Sequence, residues 1–260
     1  MLLENKNAVI YGAGGAIGAA IAKAFANDGA SVFLAGRTLA KVDSVADAIR
    51  ATGGTAQTAA VDASDAAAVD QHVADVVAEA GRIDILFNAM GMADIQGTPL
   101  VDMSLDDYAQ PIVNATRTQF LTARSVARQM IKQGAGVIMS VTAEPSMAPD
   151  LGGFPAACAV VEAMWRGFAV ELGKSGIRTV VVRSPGSPDS PGVQAVFGLH
   201  TDAPDTATEK IQEAWGDTAA MGRLPLLADI ADAATLLASD RAGAMTATLA
   251  NVTCGAFLDM

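Results

Sequence analysis

Four glycines at positions 12, 14, 15 and 18 fall within VIYGAGGAIGAAIAKAF, between an apolar run and a helical pattern. A chain that turns tightly there lets a pyrophosphate approach its backbone, and the free amides at the helix N-terminus favour an anion. Further along, SVFLAGRT places Arg37 at the end of a second apolar run. An acidic residue at that place would hold a ribose 2′-hydroxyl, whereas a guanidinium presents a charged fork to a 2′-phosphate. The chemistry expected at this end is therefore NADP binding in preference to NAD. A second polar group lies in GVIMSVT, where Ser140 and Thr142 share one face of a strand by its period of two. Either hydroxyl can donate to a substrate oxygen or satisfy nearby backbone.

The elements that must position these residues are legible as an alternation. Short runs rich in Val, Ile, Leu and Phe (NAVIYG, SVFLAG, TAQTAAVD, IDILFNA, GVIMSVT, IRTVVVRSP, ATLANVT) are separated by longer helical patterns, among them AIGAAIAKAFANDG and YAQPIVNATRTQFLTARSVARQMIKQG. Runs apolar on both faces with crossover helices between them demand a parallel sheet covered on both sides. The expectation is an α/β fold: a Rossmann-type, doubly wound, seven-stranded parallel sheet with helices on both faces, in one domain spanning residues 1–260. Prolines at 188, 191 and 204 break the rhythm, so residues 187–220 read as a lid-like excursion over the carboxyl edge.

Composition narrows the partners. A net charge of −11 argues against a nucleic-acid partner, which needs a concentrated basic face. No apolar run is long enough to span a bilayer and the N-terminus lacks a signal-peptide pattern, so no membrane partner is expected. Cys158 and Cys254 are far apart, which fits a reduced, cytoplasmic setting. His72, read as lying on a polar helix face, and His200 belong to no metal-binding spacing, and no metal is expected.

Several motifs together resemble the short-chain dehydrogenase/reductase family, from the first strand to the C-terminus. VDASD is similar to the family's adenine-holding turn, LFNAMG to its NNAG motif, IVNATRTQFLTARSVARQM to the helix carrying its active-site asparagine, and NVTCG to its NVDGG. The resemblance implies a cofactor surface of Gly12, Gly14, Gly15, Ala16, Ile17, Gly18, Arg37, Asp62, Ala63, Asn88, Ala89, Pro185, Gly186 and Ser187. It implies a small-molecule substrate and a homodimer or homotetramer formed through two long helices. Ala16 stands where the family's TGxxxGxG has its middle glycine, and Pro188 removes an N–H that the family offers to the nicotinamide carboxamide.

The family protonates its substrate with a Ser–Tyr–Lys–Asn set, tyrosine and lysine sharing a helix face at i, i+4. Matching CAVVEA to the family's KAAVEA puts Phe154 at the tyrosine slot and Cys158 at the lysine slot. The only tyrosines are Tyr11 and Tyr108, and no YxxxK occurs anywhere in the chain. The serine slot falls on Ala143. Asn114, Ser140 and Thr142 are left as polar catalytic candidates. The leading expectation is an NADP(H)-dependent oxidoreductase working without the Tyr/Lys pair. The alternatives are a cofactor-binding protein without redox turnover, acting as a sensor or partner subunit, and a non-redox lyase or isomerase using Glu144, Asp150 or Cys158.

Overall fold

The computed structural model describes residues 1–143, 149–191, 216–217 and 219–256. Within them seven strands form one sheet: β1 (Asn7–Tyr11), β2 (Ser31–Gly36), β3 (Thr55–Ala60), β4 (Ile85–Asn88), β5 (Gly136–Thr142), β6 (Ile177–Arg183) and β7 (Thr248–Asn251). Their order is β3-β2-β1-β4-β5-β6-β7, and every pairing is parallel. The crossovers between described strands run through α1 (Ala16–Asn27), α2 (Leu39–Ala51), α3 (Ala66–Ala80), α4 (Leu105–Gln133) and α5 (Phe154–Leu172), and α6 (Leu227–Ala238) precedes β7. The expected doubly wound sheet is present, strand by strand.

Alternation along each strand explains the two layers. Ile10, Leu34, Phe87, Met139 and Val182 pack with α1, α2 and α6, while Val9, Phe33, Leu86, Ile138 and Val181 pack with α3, α4 and α5. The order reverses between β1 and β4, which flank the topological switch point where such sheets bind ligands at their carboxyl ends. Register aligns those ends, with Tyr11 opposite Asn88 and Asn88 opposite Ser140.

The helix carrying Asn114 begins at Leu105 rather than at Tyr108. Ser104 caps it, its Oγ accepting from the Asp107 amide at 3.1 Å. His72 also differs from expectation, because it lies in the core. It occupies the i+3 position of a buried stripe with Val69, Val73 and Val76, and its Nδ1 is 2.9 Å from the Tyr11 hydroxyl. No described helix is long and apolar enough to cross a membrane. Most of the 187–220 excursion, with His200, and Glu144 in the β5–α5 connection lie outside the described residues.

Candidate active site at the carboxyl edge

The glycine turn owes its shape to close backbone approaches. The Gly12 and Ala13 amides both donate to the Ala35 carbonyl, at 2.9 and 3.2 Å, holding the turn against β2. Gly12 has φ +78°, and a β-carbon there would stand 2.5 Å from the Ala89 carbonyl oxygen. One on Gly18 would stand 2.4 Å from the Gly12 oxygen. These two glycines let β4 and α1 close on the turn, as dinucleotide sites require. Gly15 caps α1 without a side-chain hydrogen bond. The first-turn amides of Ala16, Ile17 and Gly18 thus have no carbonyl a turn behind them, and this donor set fits a pyrophosphate.

Arg37 is exposed at the end of β2 and makes no hydrogen bond or ion pair with a described residue. Lys41, a residue the sequence motifs do not mark, is exposed in the first turn of α2. Its β-carbon is 3.0 Å from where a β-carbon on Gly14 would sit. The spacing of four from Arg37 was the available signal. Asp62 Oδ1 accepts from the Ser64 amide at 2.9 Å and the Ser64 hydroxyl at 2.8 Å. These bonds, with help from the charges of Arg37 and Arg117, hold its carboxyl below the usual range. Ala63 beside it is buried. Asn88 is wholly buried, and its Nδ2 donates to Thr122 Oγ1 at 2.8 Å. Its side chain thus braces β4 against α4 through Nδ2, while its Oδ1 is buried without a hydrogen-bond partner among the described residues. The next residue, Ala89, ties β4 to β1 through an amide bond to the Tyr11 carbonyl at 2.9 Å.

The loop after β6 carries a matching opening at the other end. Gly186 turns at φ +101°, following Pro185. The Ser187 hydroxyl is buried without a hydrogen-bond partner among the described residues. A buried orphan hydroxyl is costly unless something binds it, so Ser187 suits a carboxamide that Pro188 cannot serve. Asp189 fastens this loop to α6 by accepting from the Leu227 amide at 3.0 Å.

Ser140 and Thr142, the two candidate hydroxyls of β5, are engaged with neighbouring protein atoms. Both are buried, and both face helices as their shared strand face predicts. Ser140 Oγ lies 3.1 Å from Gln119 Oε1, and Thr142 Oγ1 lies 3.1 Å from Glu162 Oε1. Glu162 also takes two charge-assisted bonds of 2.7 Å from Arg183. This part-buried ion pair ties the end of β6 to α5. The amide that meets Ser140 thus belongs to Gln119 rather than to Asn114. Asn114 is half-buried beside the stripe of Pro111, Ala115, Gln119 and Thr122, and its side-chain amide bonds to no described residue.

Where a proton donor and its cation would stand, the surroundings are apolar. Phe154 opens α5 half-buried, and Cys158 is fully buried one turn on, its Sγ 4.0 Å from Met92 Sδ. Met90, Ile112 and Ala143 pack against the same cluster. Asp150 is partly buried in the turn before α5, and its carbonyl accepts from the Gly97 amide at 2.8 Å. A groove of about 440 Å³ on the opposite, amino edge of the sheet has its cations engaged: Lys6 with Asp240 at 3.0 Å and Arg82 with Asp84 at 2.6 Å.

The family model described as enoyl-(acyl carrier protein) reductase matches residues 12–256. An uncharacterized oxidoreductase of Bacillus subtilis (strain 168) is 31% identical over 246 residues, covering 94% of this chain and 88% of that protein. The 3α-hydroxysteroid dehydrogenase of Mediterraneibacter gnavus is 30% identical, covering 97% of each. Among solved structures, a 7α-hydroxysteroid dehydrogenase complexed with NADH and 7-oxo glycochenodeoxycholic acid aligns with a TM-score of 0.84 at 26% identity. It covers 97% of this chain and 94% of its own.

Proposed function

The chain belongs to the short-chain dehydrogenase/reductase family of nicotinamide-dependent oxidoreductases, and from that premise we propose an NADP(H)-dependent enzyme that moves hydride without a tyrosine–lysine pair. The observation that carries this reading is the contrast between the two ends of the carboxyl edge. At one end stand the glycine turn, its helix amides and Arg37, which has no partner among the described residues. At the other, Phe154 and Cys158 stand in an apolar cluster.

A bound reduced nicotinamide supplies a hydride. The protein's own part is to orient and exclude water. The amides of Ala16 to Gly18 take the pyrophosphate, Arg37 takes the 2′-phosphate with Lys41 beside it, and the Ser187 hydroxyl takes the carboxamide. The side-chain amide of Asn114, without a partner among the described residues, is available to orient a substrate. Met90, Met92, Phe154 and Cys158 belong to one apolar cluster, a wall with no acid among its described residues. Such a wall suits a substrate that needs no proton from protein as hydride arrives. An iminium carbon accepts hydride and becomes a neutral amine, while an activated alkene becomes a stabilised enolate that water protonates. A plain ketone would leave an unprotonated alkoxide, a poor product.

Titration of the purified protein with NADPH and NADH tests the cofactor half of this reading. Saturable binding that favours NADPH supports it, and binding of neither nucleotide removes it. The close packing of the Cys158 and Met92 sulfurs favours a second reading, a cofactor-binding protein without turnover. That reading predicts NADPH binding with no consumption on any imine, alkene or carbonyl. Either reading includes a homodimer or homotetramer built on α4 and α5, where Val113, Phe120 and Val170 are exposed. Light scattering that gives a monomer would remove that part.

A further inference from the structure

Glu162 is the one charged residue on the buried face of α5, about two turns beyond Phe154 and one beyond Cys158. Its carboxylate joins three elements at the carboxyl edge. Oε1 accepts from the Thr142 hydroxyl of β5 at 3.1 Å, and the two oxygens accept from Nε and a terminal nitrogen of Arg183 in β6, both at 2.7 Å. The side chains of Glu162 and Arg183 are only 5% and 16% exposed. A forked, charge-assisted pair fixes direction as well as distance, whereas a buried ion pair is often no more stabilising than apolar groups of the same shape.

What this pair holds is the start of the loop after β6. Arg183 ends the strand, opposite Thr142 on one side and Asn251 on the other. The Val252 amide donates to the Arg183 carbonyl at 3.0 Å, and the Ser184 amide donates to the Thr142 carbonyl at 2.9 Å. The buried Ser184 hydroxyl then accepts from the Gly186 amide at 3.3 Å. Four residues beyond Arg183 stands the Ser187 hydroxyl, buried and without a partner among the described residues. A shift of Arg183 therefore moves Ser187 through a short, bonded path.

We propose that the Glu162–Arg183 pair is a positioning pair for the nicotinamide end of the site, holding Ser187 where its hydroxyl meets the carboxamide. The pair touches no part of the nucleotide. This role rests on the dinucleotide reading above and concerns only the nicotinamide half of it.

The test compares NADPH with adenosine 2′,5′-bisphosphate, which has the adenosine and the 2′-phosphate but no nicotinamide, by calorimetry and nicotinamide fluorescence on the full chain. Thr142→Val/Glu162→Met/Arg183→Met replaces the whole network with apolar groups, and urea denaturation checks that the variant is folded. The Kd for NADPH should rise about tenfold and the change in nicotinamide emission on binding should shrink, with the Kd for the bisphosphate within about twofold of wild type. Arg183→Lys keeps the charge without the fork and should fall between the two, and it carries the same comparison if the triple variant does not fold. NADPH binding equal to wild type, or equal losses for both ligands, would overturn the proposal while leaving the dinucleotide reading in place. Wild-type protein that binds neither ligand would remove that reading and this role with it.

Discussion

The Cys158 sulfur lies 4.0 Å from the Met92 sulfur, both side chains buried in one apolar cluster. A lysine at position 158 would place an ammonium among thioether, phenyl and aliphatic groups, where desolvation strongly disfavours charge. Cys158→Lys is expected to lower stability by about 3 kcal/mol or more, and Cys158→Ala by about 1 kcal/mol. Urea denaturation checks both. NADPH affinity of the alanine variant should stay within about twofold of wild type, because the thiol has no part in holding the nucleotide.

Arg37 offers its guanidinium to solvent with no partner among described residues, so its removal should cost little stability. A charge-assisted hydrogen bond to phosphate is worth about 1.5–3 kcal/mol, or roughly 10–100-fold in affinity. Arg37→Ser should therefore raise the Kd for NADPH by about that factor and leave the Kd for NADH nearly unchanged. Nucleotide fluorescence titration reads both.

Gly18 and Ala16 separate the packing role of the glycine turn from its ligand role. A β-carbon at Gly18 meets the Gly12 carbonyl at 2.4 Å, so Gly18→Ala must push α1 away from β1. It is expected to abolish saturable nucleotide binding and lower the thermal midpoint. Ala16→Gly removes only a half-buried methyl from the first turn, and it should hold or tighten NADPH binding.

These expectations mix what sequence pattern reveals with what it conceals. The seven strands were legible because each is a short apolar run between helical patterns, and parallel pairing buries both faces. The glycine turn was legible because its constraint is local. The partners of Ser140 and Thr142 were not. Gln119 lies 21 residues before Ser140 and Glu162 lies 20 residues after Thr142, so only tertiary packing shows that these hydroxyls are occupied. His72 was misplaced for a simpler reason. Its polarity suggested a solvated face, but its spacing from Val69, Val73 and Val76 already put it on the buried stripe. Ser104 and Asp107 were a readable capping signal for an earlier start of α4.

Burial lowers the pKa of His72 to about 4 and pushes that of Tyr11 upward. In the unfolded chain the imidazole protonates near pH 6.5, so the unfolded state gains protons first as pH falls. Above pH 6.5 this residue adds no pH dependence, and between about 6.5 and 4 it should remove roughly 3 kcal/mol of stability. Denaturation across that window should show the loss, and His72→Phe should flatten the slope while lowering stability at pH 7 through the unpaired Tyr11 hydroxyl.

The most direct measurement is consumption of NADPH by the purified protein with a cyclic iminium, an activated alkene and an unactivated ketone, followed at one pH. A hydride enzyme without a protein acid turns over the iminium or the alkene and leaves the ketone essentially untouched. Ready reduction of the ketone would contradict the account, because another group would then have to protonate the alkoxide. Binding of NADPH with no consumption on any of the three would contradict the enzyme reading itself.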